Sequence, residues 1–249
     1  MRVLVTGASS GIGAAFARHY ATDNDLVLVG RDRDALESVA REVRALGGRA
    51  EICVADLSDS SGVDALIRSS GAVDVLIANA GVTHAAAIGT TDLDQLDRLT
   101  YLMTSGVVRL CEALVPGMVV RGNGVVVIVS SIATFTPMRK AAPYAAAKSF
   151  ATAYARSLDA EVRTKGIDVV AVCPGYVRTN LHARAGLDHL AERIPTWLWL
   201  EPIDVVTATM RGLRAGRNVI VPGAVYRLAR PFLQSNLAQR IWSSMARRH

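Results

Sequence analysis

The beginning of the chain constrains its fold more than any other stretch. Residues 2–6 (RVLVT) are a β-branched, apolar run that enters a glycine-rich turn, residues 7–13 (GASSGIG), which opens a helix. Glycines permit a tight turn and the close approach of a phosphate, and the free backbone NH groups of a helix N-terminus attract an anion. A strand, a glycine turn and a helix in this order predict a doubly wound α/β fold with a pyrophosphate at the turn.

Two further stretches carry side chains suited to acid–base chemistry. Tyr144 and Lys148 lie one helical turn apart and share a helix face, and a lysine beside a tyrosine lowers a phenol pKa that is normally about 10. The same spacing also occurs in many surface pairs. Ser131 follows the apolar run 125–129. A hydroxyl at the carboxyl end of a parallel strand lies where open sheets bind their ligands.

These stretches occur in the same order as the motifs of the short-chain dehydrogenase/reductase family, which the chain resembles from Arg2 to about Val221. The resemblance is carried by Thr6-Gly7-x-x-x-Gly11-Ile12-Gly13, Asn79-Ala80-Gly81, Ser131, Tyr144-x-x-x-Lys148 and Pro174-Gly175. It implies a single Rossmann domain over residues 1–249, with a parallel sheet of about seven strands covered by helices on both faces. It also implies hydride transfer between a nicotinamide and a carbonyl or secondary alcohol, with Ser131, Tyr144 and Lys148 as the catalytic residues.

The same resemblance implies a set of residues that bind the cofactor. They are Gly7, Ser9, Ser10, Gly11, Ile12, Gly13, Arg31, Asp56, Leu57, Asn79, Ala80, Gly81, Tyr144, Lys148, Pro174, Gly175, Val177 and Thr179. Two of them have structural alternatives. Asp56 could instead cap a helix that begins near Ser58, and Asn79 could tie neighbouring strands together.

The end of the second strand bears on which cofactor is bound. An acid there would hold the ribose 2'-hydroxyl and repel a 2'-phosphate. The chain has Gly30 and Arg31 at this place, so NADP(H) is favoured over NAD(H). The alternative is that Arg31 is a solvated loop charge.

Met103 departs from the family pattern. The stretch 92–119 is expected to be one long helix, and offsets from Asn79 and from Pro116 both place the family's helix asparagine at Met103. That asparagine helps to hold a water beside the lysine, which a thioether does poorly. A main-chain carbonyl, Thr104 or Ser105 could replace it, or proton supply could be slow.

One alternative function is therefore a catalytically weak cofactor-sensing or membrane-surface scaffold protein, and another is an NAD-linked alcohol dehydrogenase.

Composition excludes several classes of protein. With 51 % hydrophobic and 20 % charged residues the chain is not disordered. No apolar run reaches the roughly 18 residues of a membrane span, and the first apolar stretch is already a strand, so a cytoplasmic protein is expected. The three scattered cysteines indicate free thiols and no metal site. The net charge is +6, and five arginines after Val225 supply most of it. The rest of the chain is therefore nearly neutral, so the net charge is no argument for nucleic-acid binding.

Two segments are expected to meet partners. Residues 181–202, with the cluster Trp197-Leu198-Trp199-Leu200, match the family's mobile lid and indicate an apolar carbonyl or alcohol substrate. The tail, residues 223–249, is a basic amphipathic stretch that Pro231 should break near Arg230. It covers a sheet edge or a subunit, or else lies peripherally on the inner membrane surface. The resemblance implies a homodimer or homotetramer.

Overall fold

A parallel seven-stranded sheet forms the centre of the molecule in the computed structural model, which describes residues 1–179 and 194–233. The strands are β1 (Arg2–Thr6), β2 (Asp25–Gly30), β3 (Arg49–Val54), β4 (Val75–Ala78), β5 (Gly124–Val129), β6 (Ile167–Val172) and β7 (Val219–Ile220). Their order is β3-β2-β1-β4-β5-β6-β7, and every pair is parallel. The predicted doubly wound fold is confirmed. Its strand order reverses between β1 and β4, which is where such sheets bind ligands.

Helices cover both faces of the sheet. They are α1 (Gly11–His19), α2 (Arg33–Ala45), α3 (Ser60–Ser70), α4 (Leu93–Met103), α5 (Ser105–Arg121), α6 (Ala142–Val162), α7 (Pro202–Arg214) and α8 (Ala224–Leu233). One core packs α3, α5, α6 and α8 against the sheet, and a second packs α1, α2 and α7 against the other face. Leu4 belongs to the first core and Val3 to the second. The central strands are therefore apolar on both sides, as buried parallel strands must be.

The single long helix predicted over 92–119 is wrong, because Thr104 separates α4 from α5. Thr104 has φ −126° and ψ −91°, and its hydroxyl donates to the Thr100 carbonyl at 2.6 Å. A threonine hydroxyl competes with the backbone for hydrogen bonds, which favours such an interruption. By length and composition alone the stretch Leu93–Arg121 could cross a membrane, and 50 % of the relevant window is buried inside the protein, so this is weak evidence for a span.

Ser131 is followed by a short 3₁₀ helix, Ile132–Phe135. One smaller expectation also needs correction. Pro231 does not break the tail helix near Arg230, because α8 continues through it to Leu233. Contacts to the body of the protein hold this helix, since Tyr226 is buried and the Arg230 guanidinium lies 4.9 Å from the Phe135 ring centre. The lid residues 181–193 and the tail residues 234–249 lie outside the described residues.

Candidate active site

The glycine turn after β1 is built so tightly that larger residues do not fit. Gly7 and Gly11 have φ of +65° and +56°, a region that side chains disfavour. A Cβ added to Gly7 would lie 2.8 Å from Asn79 Nδ2, and one added to Gly11 would lie 2.7 Å from Thr179 Cγ2. At Gly13 a Cβ would overlap the Gly7 carbonyl and lie 2.7 Å from Asn79 Nδ2. The turn therefore keeps its backbone exposed to the cleft only because these positions are glycine.

Asn79 joins the ends of β1 and β4, as the sequence suggested. Its side-chain amide donates to the carbonyls of Thr6 at 2.9 Å and Gly7 at 3.1 Å. In return, Thr6 Oγ1 accepts the backbone NH groups of Asn79 at 3.0 Å and Ala80 at 2.9 Å. These four bonds fix the glycine turn relative to the switch point of the sheet.

Ser131, Tyr144 and Lys148 come together in one cleft of about 470 Å³. Ser131 follows β5, and its Oγ accepts the Ala133 NH at 3.1 Å, so its own proton can still be donated. Tyr144 lies in the first turn of α6 and lines the same cleft. Lys148 lies one turn later, with its Nζ 5.9 Å from the Tyr144 ring centre. Three chemically complementary groups thus meet at the carboxyl ends of the strands.

Burial sets the charge states of this cluster. Burial raises the pKa of Tyr144, and the hydrogen bond with Ser131 offsets part of that rise. Burial also lowers the pKa of Lys148 to about 8. The sequence led us to expect that Lys148 lowers the tyrosine pKa, whereas burial leaves that pKa raised. The Lys148 ammonium donates to the Val129 carbonyl at 2.9 Å, and its Nζ lies 5.9 Å from the Tyr144 ring centre. Tyr144 therefore holds its proton at neutral pH.

A buried hydroxyl pair, which the sequence did not reveal, supports the cluster from behind. Ser130 Oγ donates to the Lys148 carbonyl at 2.7 Å and lies 2.7 Å from Thr152 Oγ1. Thr152 Oγ1 also reaches the same carbonyl at 3.1 Å and lies 3.7 Å from Cys173 Sγ. Two adjacent serines at the end of a strand could have indicated this pair. Their side chains point to opposite faces, so one faces the cleft and the other is buried and needs a hydrogen-bond partner.

Most residues expected to bind the cofactor line this cleft. The lining includes Gly7, Ser9, Ser10, Gly11, Ile12, Asn79, Ala80, Gly81, Ser131, Tyr144, Lys148, Pro174, Gly175, Val177 and Thr179. Four others are not in the wall. Gly13 lies beneath the turn and Leu57 lies in the core, whereas Arg31 and Asp56 follow the neighbouring strands β2 and β3.

The alternative for Asp56 as a helix cap is wrong, because Asp59 caps α3 by accepting the Gly62 NH at 3.0 Å. Asp56 instead accepts the Ser58 NH at 3.0 Å and pairs with Arg98 at 2.7 Å. Burial opposes its charge, but these partners and the nearby Arg31 hold the pKa of Asp56 below its usual value. Arg31 follows Gly30, which pairs with Val54 at the end of β3.

Met103 lies where the sequence offsets placed it, beside the lysine. It is buried, and a Cβ added to Gly81 would be 3.7 Å from Met103 Sδ and 3.4 Å from Lys148 Nζ. Thr104 does not replace the missing amide, since its hydroxyl is bonded to Thr100. Ser105 is exposed and does not line the cleft. A main-chain carbonyl and slow proton supply remain as the two explanations of this departure.

Tyr226 is a site residue that sequence reasoning missed. Its hydroxyl accepts the Tyr176 NH at 3.1 Å and donates to the Leu198 carbonyl at 2.6 Å. Its ring packs on Gly175, where any Cβ would overlap it. Tyr226 thus joins the Pro-Gly turn after β6 to the end of the lid segment. A tyrosine among the apolar residues of this helix was the signal, because a buried phenol needs a hydrogen-bond partner.

Comparison with known proteins agrees with this geometry. The family model described as short chain dehydrogenase matches residues 1–189. Glycine betaine reductase ATRR of Emericella nidulans is 34 % identical over 87 % of this chain, which spans only 18 % of that protein. Among solved structures, a short-chain dehydrogenase from Sphingobium yanoikuyae in complex with NADPH is 32 % identical, with a TM-score of 0.85 over 97 % of this chain and 94 % of the other.

A second solved structure is the bulky-bulky ketone specific alcohol dehydrogenase from Comamonas testosteroni. It is 26 % identical, with a TM-score of 0.77, and the match covers 99 % of this chain and 90 % of the other. The family model covers well over half of the chain, and the strand order and the cleft agree with it. The chain therefore belongs to the short-chain dehydrogenase family of pyridine-nucleotide-dependent oxidoreductases.

Proposed function

We propose that the protein transfers a hydride between NADP(H) and a carbonyl or secondary alcohol of a lipophilic substrate. The observation that carries this proposal is the convergence of Ser131, Tyr144 and Lys148 in the cleft that also contains the glycine turn. A proton donor, a second hydroxyl and an ammonium in one enclosed space are the groups that carbonyl reduction requires.

The cleft fits a nicotinamide dinucleotide, because its glycine turn is a cradle that side chains would fill. The turn residues 7–12 would hold the pyrophosphate, and Asn79 to Gly81 would border a ribose. Val177 and Thr179 would bind the carboxamide, and Lys148 the nicotinamide ribose. When bound, the nicotinamide supplies or accepts the hydride. Every other requirement of the reaction falls to residues of this chain.

In the reductive direction Tyr144 gives its proton to the substrate oxygen. Its raised pKa keeps that proton in place at neutral pH, so the phenol enters the reaction as an acid. Ser131 donates a hydrogen bond to the same oxygen and orients the carbonyl carbon. Lys148 supplies a positive charge that stabilises the phenolate left behind. In the oxidative direction Tyr144 must first lose its proton, so alkaline pH favours oxidation.

The pH dependence of the reaction should reveal the loss of the Lys148 charge. Burial lowers its pKa to about 8, so its charge is present below that pH and is lost above it. We expect kcat/KM for carbonyl reduction to be level below pH 8 and to fall above it by about tenfold per pH unit. Steady-state rates with NADPH across this range measure the effect.

Lys148→Arg is the matched control for this pH profile, because a guanidinium stays charged throughout the range. It should be slower than the native protein but should show no alkaline fall. A reduction rate that climbs through pH 8 in the native protein would contradict the role given to Lys148.

The preference for NADP(H) rests on Arg31. This side chain is exposed beside the end of β3, and Gly30 offers no acid to repel a 2'-phosphate. The solved relative that contains NADPH supports the same choice. Fluorescence titration with NADPH and NADH in parallel tests it without any knowledge of the substrate.

We expect NADPH to bind about 10- to 100-fold more tightly than NADH, because one charge-assisted hydrogen bond to a phosphate changes the affinity by about this factor. Arg31→Asp should abolish or invert the preference. Arg41→Asp makes the same charge change on the exposed side of α2 and should leave it intact. Tighter NADH binding by the native protein would refute the assignment, and binding of neither would favour a scaffold protein.

A bulky, lipophilic substrate fits the rest of the cleft. The wall near Tyr144 is formed by Val82, Ile132, Met138, Tyr176 and Leu233. Apolar lining of this kind binds apolar groups and leaves the few polar groups to orient the reacting bond. The similarity to an alcohol dehydrogenase specific for bulky-bulky ketones supports this substrate class.

Assembly and location are proposed from exposed apolar residues on two helices. Phe150 is exposed on α6 and stacks on Tyr154 with ring centres 6.3 Å apart, which suits a subunit contact in a homodimer or homotetramer. The exposed residues Val225, Leu228 and Phe232 on α8 suit either a second subunit or an anionic membrane surface. A cytoplasmic protein with peripheral membrane contact is consistent with both.

A further inference from the structure

A second cavity, of about 360 Å³, lies at the edge of the sheet and shares no lining residue with the catalytic cleft. It is bounded by the end of α7, the segment leading into β7 and the first turn of α8. Three arginines line it: Arg211, Arg217 and Arg227. All three are exposed. The function proposed above gives this cavity no role.

The three guanidinium groups have no side-chain hydrogen bond or ion pair to any described residue. Some arginines elsewhere in residues 1–179 do have acidic partners, since Arg98 pairs with Asp56 at 2.7 Å and Arg163 pairs with Asp159 at 2.7 Å. Among the residues that the structure describes, no carboxylate lines the cavity. Three like charges around one cavity repel one another, and that repulsion disappears when an anion binds between them.

The backbone that carries these arginines is firmly held. The NH of Arg217 donates to the Gly212 carbonyl at 3.0 Å, and the NH of Arg227 donates to the Gly223 carbonyl at 3.2 Å. Gly212 has no space for a Cβ, which would overlap Ile220, so α7 packs directly on β7. A site carried on such packed elements needs little ordering of the backbone when a ligand binds.

The chemistry of the lining points to the ligand. A guanidinium presents a planar fork of donors that matches phosphate oxygens in pairs. The floor of the cavity is apolar, formed by Ile220, Val221 and Ala208, and its volume exceeds that of a bare phosphate. We propose that this three-arginine pocket binds a phosphate monoester dianion, with the ester's organic group over the apolar floor.

A second copy of the chain is a poorer occupant. In a two-fold contact the same patch meets itself, so the arginines of one copy would face those of the other. Such a contact would bring together six unpaired positive charges unless anions separated them. Charge complementarity therefore favours an anion over self-association at this face.

The experiment measures binding of two probes to the full-length protein at fixed salt. Glycerol 3-phosphate, followed by isothermal titration calorimetry, represents a soluble monoester. Phosphatidylcholine vesicles with and without phosphatidic acid, followed by co-sedimentation, represent a lipid monoester. Saturable binding of glycerol 3-phosphate with no vesicle binding indicates a soluble ligand, whereas binding that needs phosphatidic acid indicates a lipid headgroup. Either result supports the proposal if it depends on the pocket.

Three variants determine that dependence. The triple variant Arg211→Gln, Arg217→Gln, Arg227→Gln should bind the effective probe about 100-fold more weakly, because up to three charge-assisted contacts are lost. The triple variant Arg211→Lys, Arg217→Lys, Arg227→Lys keeps the charge but not the fork and should bind at least about tenfold more weakly. The control triple Arg41→Gln, Arg68→Gln, Arg156→Gln removes the same charge from exposed arginines elsewhere and should bind normally.

Several results would overturn the proposal. They are binding of neither probe, unchanged binding by the glutamine variant, or an equal loss in the control triple, which would mean general electrostatic attraction. A change of oligomeric state in the glutamine variant without any effect of the probes would show that the face is a subunit interface. NADPH affinity should be the same in all variants, which separates this site from the catalytic cleft.

Discussion

Replacing Tyr144 by phenylalanine should lower kcat for carbonyl reduction by about 1,000-fold, within the range that a positioned proton donor contributes. The change removes only the phenol oxygen that gives the substrate its proton. The ring would still pack beside Met103 and Ala147, so stability should change little. Affinity for NADPH should also change little, because the glycine turn and Lys148 are intact. The oxidation rate of NADPH at saturating substrate measures the loss.

Tyr154→Phe is the matched control for this substitution. Tyr154 lies on the same helix but does not line the catalytic cleft. Removing its hydroxyl should leave kcat within about twofold of the native value. If Tyr144→Phe retained a tenth or more of the native kcat while Tyr154→Phe was normal, the proton donor would have to be another group.

The second large effect is expected for Gly13→Ala. The added methyl would overlap the Gly7 carbonyl and lie 2.7 Å from Asn79 Nδ2, so the backbone of the turn must shift. Overpacking of this kind costs about 3 kcal/mol, which for a chain of this length lowers Tm by about 6–12 °C. Because the same turn is proposed to hold the pyrophosphate, NADPH affinity should fall by about tenfold or more. Thermal unfolding and fluorescence titration measure the two effects.

Gly117→Ala provides the control for a glycine-to-alanine change in a helix. Gly117 is exposed on α5, and a Cβ there would meet only the flexible end of Arg121 at 3.4 Å. Alanine is the better helix former, so this variant should be more stable by about 0.5–1 kcal/mol, with cofactor binding unchanged. Equal Tm values for Gly13→Ala and the native protein would contradict the close packing described for the turn.

The arrangement of the candidate site followed from the sequence because it depends on strand order and polarity. Parallel strands place their carboxyl ends at one edge, so residues after β1, β4 and β5 had to come together. Gly11, Asn79 and Ser131 accordingly line one cleft, although more than a hundred positions separate the first from the last. The apolar, β-branched runs 2–6 and 125–129 were sufficient to predict β1 and β5.

Other features depended on contacts that no local pattern contains. The break at Thr104 results from one hydroxyl reaching the Thr100 carbonyl, and α8 continues past Pro231 because Tyr226 and Arg230 pack against the body. The raised pKa of Tyr144 depends on its burial, which the spacing to Lys148 does not determine. These are tertiary effects that override local preference.

The arginine pocket illustrates the same limit at longer range. Arg211, Arg217 and Arg227 lie on a helix, in the segment before a strand and on a second helix. In the sequence they are three of many basic residues near the end of the chain. Only the packing of α7 and α8 around β7 places them on one cavity.

The hydrogen bond from Ser130 to the Lys148 carbonyl limits how this enzyme can be re-engineered. The residue that precedes Ser131 is hydrogen-bonded to the backbone of Lys148, so the end of β5 and helix α6 are held together at this point. Library mutagenesis that includes Ser130 or Thr152 would displace the lysine in most clones and hide any gain in substrate range. Met138 and Leu233 line the cleft but do not belong to this hydrogen-bonded pair of elements. Substitutions at these two positions can therefore change the shape of the pocket without moving Ser131 or Lys148.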